Sequence, residues 1–258
     1  MISWDPARYL GFAAQRQRPF ADLVGRIPVG EPRLVVDLGC GPGTATAQLL
    51  ERWPSARVIG VDSSPDMLEM AGRLADPPRL AFARGDVGSW EPDEAPDVIV
   101  ANAVFQWVPG HLDLLGRFAG WLAPGGVLAF QVPANFDQPI HALLRDLASS
   151  DAWAGELAGV LRADPVADPG GYLSRLLELG MHADVWETTY MHLLEGPDAV
   201  FEWASGTALR PVLSSLGAQE GDAFALAYRK ALAGAYPARS DGRTVLPFRR
   251  VFAVASTD

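Results

Sequence analysis

A glycine-rich turn follows directly on a short apolar run near the start of the chain. Residues 33–38 are RLVVDL, and residues 39–43 are GCGPG. A β-branched run of this length is typical of a strand that is buried on both faces of a parallel sheet. Residues 44–53 then have helical spacing, which Pro54 ends. Strand, glycine turn and helix in this order predict the first unit of a doubly wound α/β fold.

The alternation of strand and helix continues along the chain. A second strand is expected over 57–61, and a helix capped by Ser63 or Ser64 is expected from Pro65 to about residue 74. Further strands are predicted at 80–84, 97–101, 127–132, 184–190 and 248–255, and further helices at 111–122, 197–216 and 219–235, with a broken helical region over 135–179. We therefore predict a single α/β domain over 1–258 with a mainly parallel, seven-stranded sheet.

Composition and charge narrow the function. The chain has 258 residues and a formal net charge of −10, which disfavours nucleic acid as a partner because phosphate binding needs clustered Lys and Arg. Its first thirty residues lack an apolar core, and no later run is apolar enough to span a bilayer, so we expect a cytoplasmic protein without a membrane partner. One cysteine and four scattered histidines have no zinc spacing. A small-molecule substrate and no metal are expected, and the oligomeric state is left open.

Acidic residues lie at the ends of the first three predicted strands. The GxGxxG fingerprint of NAD enzymes would need glycine at position 44, which is Thr44. Asp62 lies 25 positions after Asp37 (62 − 37) and can accept two hydrogen bonds from a ribose diol. Asp37 would repel a pyrophosphate but can bind an ammonium group such as that of methionine. Asp86 is placed to receive an adenine amino group. The pattern favours an adenosine cofactor that carries an amino acid.

Four segments together resemble the class I S-adenosylmethionine-dependent methyltransferases. They are DLGCGPG at 37–43, Asp62, GD at 85–86 and PGG at 124–126. The resemblance implies S-adenosyl-L-methionine as the cofactor and a Rossmann-like sheet. The resemblance implies that the cofactor site includes Gly39, Gly41, Gly43, Asp62, Asp86, Val87 and Asn102. We add Asp37 and Ser63, which lie beside these residues in the sequence, and Arg16, which lies in a predicted N-terminal helix that either closes over the cofactor or packs against the sheet.

Segments outside the cofactor motif resemble the branch of this family that methylates trans-aconitate, a tricarboxylic acid. They are WDPARYL at 4–10, NAVFQW at 102–107, WETTY at 186–190, LRP at 209–211 and FRRVF at 248–252. This resemblance implies methyl transfer to a carboxylate, which gives a monomethyl ester. A carboxyl group with a pKa near 4 is already ionised at pH 7, so we expect no general base. Gln106 and Trp107 are expected to position the reacting groups.

A small polycarboxylate that enters an acidic protein needs local positive charge, and Arg matches carboxylates with two parallel hydrogen bonds. We expect Arg210 and one of the neighbours Arg249 and Arg250 to bind it, because adjacent strand residues point to opposite faces. Arg249 is the preferred one. Tyr190, Trp4 and Tyr9 complete the predicted substrate site, and the segments 1–30, 135–180 and 197–236 are expected to form a helical lid and a substrate cap.

Three alternatives stay open at this point. A methyltransferase for another small acid, a phenol or an amine would share the cofactor motif. An NAD-dependent oxidoreductase is disfavoured by Thr44 and Asp37. A protein that binds the cofactor without catalysis would be recognised by binding without turnover. For each arginine considered alone, an ordinary solvated surface charge is the competing interpretation.

Overall fold

The computed structural model describes residues 13–161 and 166–258, with side chains from residue 17 onward. Its strands are β1 (Leu34–Leu38), β2 (Arg57–Asp62), β3 (Leu80–Arg84), β4 (Val98–Asn102), β5 (Val127–Pro133), β6 (His182–Glu195) and β7 (Arg243–Ser256). These seven strands form one sheet in the order β3-β2-β1-β4-β5-β7-β6. The helices are α1 (Ala13–Val24), α2 (Thr44–Arg52), α3 (Pro65–Gly72), α4 (His111–Trp121), α5 (Pro139–Ala148), α6 (Ala154–Leu157), α7 (Pro169–Glu178), α8 (Ala199–Ser205), α9 (Arg210–Ser215) and α10 (Ala218–Ala235), with a 3₁₀ turn at Phe105–Trp107.

The strand order reverses at β1. Strands β3, β2, β1, β4 and β5 are parallel to their neighbours, and β7 runs antiparallel to β5. All five residues of β1 are buried, as its apolar sequence predicts. This topology confirms the predicted α/β fold. Open sheets of this kind bind ligands beyond the carboxyl ends of the strands, at the reversal point, which here lies between β1 and β4.

The predictions for three elements in the second half of the chain were wrong in their bounds. The expected strands 184–190 and 248–255 are longer, as β6 and β7, so Tyr190 lies inside its strand instead of at its end. The expected helix over 197–216 is two helices, because Gly206 follows the last residue of α8 and Pro211 lies in the first turn of α9. Proline has a fixed φ and lacks an N–H, so it suits the first turn of a helix and disrupts the interior.

The described chain divides into two compact units. The first, here named the sheet unit, comprises Ala13–Pro133, Val166–Thr188 and Arg250–Asp258. The second, named the helical unit, comprises the described residues of 134–161 and Thr189–Arg249, and its apolar core includes Trp203 and Phe224. The predicted lid begins outside the described residues, and the predicted substrate cap stays a prediction. No helix in the described ranges is long and apolar enough to cross a membrane.

Candidate active site

The glycine loop after β1 uses its glycines for two different purposes. Gly39, Gly41 and Gly43 all have positive φ angles, of 70°, 55° and 80°. A Cβ atom at Gly39 would lie 2.4 Å from a methyl group of Val104, and one at Gly43 would lie 2.8 Å from the ring of Phe82. At Gly41 no atom of the described residues, apart from its chain neighbours, lies within 4 Å of that position. The outer glycines therefore allow close packing, whereas Gly41 leaves open space beside the loop.

Asp62, at the end of β2, holds the glycine loop in place. Its Oδ2 atom accepts a hydrogen bond from the Gly41 backbone N–H at 2.8 Å. Its Oδ1 atom accepts one from the Ser64 N–H, also at 2.8 Å, and Ser64 caps α3. Each carboxylate oxygen has a second acceptor site, so Asp62 keeps the capacity to receive two hydroxyl groups of a ribose. Ser63, beside it, is exposed.

Asp37 is a buried carboxyl group and the last residue but one of strand β1. It is 2% exposed and accepts a hydrogen bond from the Thr46 hydroxyl to Oδ2 at 2.6 Å. Its Oδ1 atom is buried and has no hydrogen-bond partner among the residues that the structure describes. Burial raises the pKa of Asp37 to about 7, the Thr46 hydrogen bond opposes this rise, and the charge of Asp62 adds to it. A cation near Oδ1 would stabilise the ionised form.

Beyond β3 the predicted adenine-side residues form a short turn. Asp86 is exposed, and its Oδ1 atom accepts a hydrogen bond from the Gly88 N–H at 2.8 Å. Val87 is 8% exposed. This pair therefore offers a carboxylate and an apolar surface close together in the chain, and both residues follow the carboxyl end of a parallel strand.

The turn after β4 contains a strained backbone residue whose carbonyl group accepts a hydrogen bond from a side chain. Ala103 has a φ of 57°, which is uncommon for a residue with a side chain. Its carbonyl accepts a hydrogen bond from Gln106 Nε2 at 2.6 Å, and Gln106 Oε1 is buried with no hydrogen-bond partner in the described ranges. Trp107 is 41% exposed. Backbone strain of this kind concentrates at functional sites, where the surrounding structure maintains it.

Comparison with known proteins identifies the family. A profile described as a methyltransferase domain matches residues 35–126. The Streptomyces avermitilis protein named trans-aconitate 2-methyltransferase is 54% identical over 260 residues, which cover 98% of this chain and 96% of that protein. The protein of that name from Streptomyces coelicolor is 55% identical over 265 residues, with 98% and 86% covered. The chain belongs to the trans-aconitate 2-methyltransferase family.

A solved structure with a similar fold is the YcgJ protein of Bacillus subtilis. It is 13% identical, superimposes with a TM-score of 0.59, and covers 93% of this chain and 98% of that protein. At this identity the similarity concerns the fold alone.

The residues that we predicted for substrate binding lie in different environments. Arg210 is the half-buried first residue of α9. Arg249 donates from Nε to the Ala134 carbonyl at 2.8 Å and from Nη2 to Asp137 Oδ1 at 2.7 Å. Tyr190 is 2% exposed. All of these belong to the helical unit. Trp4 and Tyr9 lie outside the described residues, as does the side chain of Arg16.

The sequence did not predict a row of hydrogen-bonded polar side chains that joins β7, β5 and β4. Arg250 Nη1 donates to Gln131 Oε1 at 2.8 Å, and Gln131 Nε2 donates to Asn102 Oδ1 at 2.5 Å. Gln131 is 1% exposed and Arg250 is 5% exposed. The one available signal was a glutamine inside the apolar run VLAFQV, since a buried amide is costly unless it is hydrogen-bonded.

Asn135 was also missed. It follows β5, is 0% exposed, and has neither side-chain oxygen nor side-chain nitrogen hydrogen-bonded within the described ranges. It was not recognisable beforehand, because Asn after a strand is common in turns.

Proposed function

We propose that this protein transfers a methyl group from S-adenosyl-L-methionine to a carboxylate of trans-aconitate and forms a monomethyl ester. The observation that carries the proposal is the identity of more than half of all residues, over nearly the whole chain, to two proteins named for this reaction. Similarity of that extent includes the second half of the chain, which the general methyltransferase profile does not match.

The loop and its acidic residues fit the proposed cofactor. The space beside Gly41 admits a ligand close to the backbone, and Asp62 keeps acceptor capacity for a ribose. Asp37 Oδ1 is a buried acceptor that an ammonium group would satisfy. When bound, the cofactor would supply an electrophilic methyl group attached to a sulfonium sulfur, and transfer of that methyl group to a carboxylate oxygen would leave the sulfur as a neutral thioether.

The residues of this chain then have positioning roles and need supply no base. The acceptor carboxylate is ionised well below neutral pH, so no proton has to be removed before the new C–O bond forms. Gln106 is fixed by its bond to Ala103 and is therefore suited to hold a reacting group in one place. Alignment of the nucleophile with the methyl group lowers the barrier by several kcal/mol in systems of this kind.

Recognition of the remaining carboxylates falls to arginine in this proposal. Arg210 and Arg249 are the candidates, and their guanidinium groups can each bind a carboxylate through two hydrogen bonds. Asp137 already pairs with Arg249, so a substrate carboxylate would have to share that arginine. Tyr190 stays a predicted contributor.

The test is identification of the product together with a pH profile. Purified protein, S-adenosyl-L-methionine and trans-aconitate should give a monomethyl ester that mass spectrometry detects. The rate at saturating concentrations of both substrates should show no basic group that must lose a proton between about pH 6 and 8. A clear ionisation in this range, retained when the chemical step is isolated, would favour a phenol or amine acceptor instead.

A further inference from the structure

Three side chains on three neighbouring strands form a single hydrogen-bonded line in the sheet unit. Asn102 on β4 is the register partner of Gln131 on β5, so their side chains share one face of the sheet. Gln131 is in turn opposite Phe252 on β7, and Arg250 lies two positions from Phe252 on that same face. The hydrogen bonds run from Arg250 to Gln131 and from Gln131 to Asn102.

The chemistry of arginine determines the direction of this line. A guanidinium group only donates and stays protonated in proteins, so the atom of Gln131 that faces Arg250 must be the amide oxygen. Gln131 therefore presents Nε2 to Asn102, and Asn102 must turn its own oxygen toward that donor. The Asn102 nitrogen, Nδ2, is left as the outward end of the line, and it makes no hydrogen bond to the described residues.

The outward end lies at the place where this fold binds its ligands. Asn102 is the last residue of β4, next to the reversal point of the sheet, and it is half-buried, whereas Gln131 and Arg250 are buried. The following residues, Ala103 and Val104, continue into the strained turn that packs on Gly39. An N–H donor at this edge suits an anionic oxygen, and a buried polar line in a central strand is retained at a cost in stability.

We propose that Arg250 is a positioning residue that orients the Asn102 amide so that Asn102 Nδ2 donates a hydrogen bond to a carboxylate. The proposal rests on the proposed function, which brings two sources of carboxylate to this edge. One is the amino-acid part of the cofactor, and the other is the acceptor acid. Arg250 thereby acts on ligand binding without itself contacting the ligand, unlike the role expected for Arg210.

The test uses substitutions that reverse or preserve the direction of the line. Gln131→Glu keeps an acceptor for Arg250 but removes the donor to Asn102, so the Asn102 amide should turn and present its oxygen to the ligand. Arg250→Met removes the group that fixes the direction, and Arg250→Lys keeps a group that only donates. Arg243→Met, on the same strand and ion-paired with Asp241, is the matched control.

Calorimetry should measure three dissociation constants for each variant. These are for S-adenosyl-L-methionine, for S-adenosylhomocysteine, and for trans-aconitate added to protein saturated with S-adenosylhomocysteine. Gln131→Glu should weaken binding of one carboxylate source by about tenfold to a hundredfold, and Arg250→Met by about tenfold. Arg250→Lys should restore the affinity to within about threefold of the native value. Equal weakening of both cofactor forms assigns the carboxylate to the cofactor, and weakening of trans-aconitate alone assigns it to the acceptor.

Two results would overturn the proposal. One is a lower melting temperature for Gln131→Glu and Arg250→Met with all three dissociation constants unchanged, since the line would then be structural only. The other is an equal loss of affinity in Arg250→Lys and Arg250→Met. If native protein fails to bind trans-aconitate, the proposed substrate is wrong, but the two cofactor measurements still decide whether Arg250 orients Asn102.

Discussion

The glycine loop and the helical unit differ in how far apart in the chain their polar partners lie. In the loop, Thr46 bonds Asp37 across 9 positions, and Gly41 bonds Asp62 across 21. In the helical unit, Arg249 bonds the Ala134 carbonyl across 115 positions, and a buried hydroxyl on α10 bonds the start of α5 across 88. The first region is held together by residues that are close in the sequence, whereas the second depends on contacts between segments that are far apart in the sequence.

From this difference we expect cofactor binding and substrate binding to respond differently to substitutions. A substitution of a loop residue that faces open space, such as Gly41, should affect the cofactor more than it affects folding. A substitution among the arginines of the helical unit should affect the substrate, and it is more closely coupled to folding. The predictions below test whether the two tasks are as separate as these contacts suggest.

The largest effect is expected at Arg210. Arg210→Ala should weaken binding of a tricarboxylate by about 2–5 kcal/mol and leave the affinity for S-adenosyl-L-methionine nearly unchanged. Arg210→Lys should recover only part of this loss, because an ammonium group keeps the charge but not the planar pair of donors. Calorimetry with a tricarboxylate and with a monocarboxylate is the measurement. An equal loss for both acids, or loss of folding, would indicate that Arg210 is a structural residue. Substrate binding could then not be separated from folding at this position.

Two glycine substitutions should distinguish packing from ligand access within the loop. Gly39→Ala adds a Cβ atom 2.4 Å from Val104 at a positive φ, and should lower the free energy of unfolding by about 2–5 kcal/mol. Gly41→Ala adds a Cβ atom that contacts none of the described side chains, so the backbone strain at its positive φ should cost about 1–2 kcal/mol. Its loss of cofactor affinity should be much larger than its loss of stability. Chemical denaturation and cofactor titration of both variants check this, and similar behaviour of the two would contradict it.

Asp62 should affect cofactor binding more than any substrate constant. Asp62→Ala removes both acceptors for a ribose and the tie to the Gly41 N–H, and should weaken S-adenosyl-L-methionine binding by about 2–3 kcal/mol. S-adenosylhomocysteine should lose a similar amount, because it carries the same ribose. Calorimetry on the two ligands, with Asp62→Asn as the partial variant, measures this. Unchanged affinity for both ligands would remove Asp62 from the cofactor site.

The smallest expected effect is the pH dependence due to Asp37. An ammonium group binds the ionised form, so cofactor affinity should fall by up to about tenfold per pH unit below the pKa of about 7 and level off above it. The raised pKa of Asp37 also makes the stability of the fold depend on pH. The favourable contribution of the protonated carboxyl group is complete below about pH 4, the ordinary pKa of Asp in an unfolded chain, and it is lost as the pH rises to about 7. Asp37→Asn should remove the pH dependence of affinity and increase stability more at pH 8 than at pH 5. Cofactor titrations and denaturation across this range, in both proteins, provide the test. A pH-dependent affinity that persists in Asp37→Asn would assign the ionisation elsewhere.

Local signals in the sequence predicted the first half of the fold well. Strands β1 to β5 begin and end within about two residues of the predicted bounds, because glycine or proline marks most of their turns and the runs between these turns are short and apolar. The glycine motif with Asp37 and Asp62 also predicted the residues that come together at the edge of β1 and β2.

Local sequence patterns could not predict features that depend on residues far apart in the chain. The direction of the Asn102 amide depends on Arg250, which lies 119 positions from the connecting Gln131. Which of Arg249 and Arg250 faces which side of β7 follows from strand register, and this is not visible in a sequence of two adjacent arginines. The break between α8 and α9 was missed because the apolar pattern continues across it and only Gly206 and Pro211 interrupt it.

The most direct measurement is methyl transfer from labelled S-adenosyl-L-methionine to a panel of acceptors. The panel should contain trans-aconitate, a dicarboxylate, a monocarboxylate, a phenol and an amine. We predict labelled product with trans-aconitate that mild base releases, as expected for an ester, and a value of kcat/KM that falls with each carboxylate removed. Base-stable product from the phenol or the amine, or equal kcat/KM for mono- and tricarboxylates, would contradict the account of a loop that binds the cofactor and arginines that select a polycarboxylate.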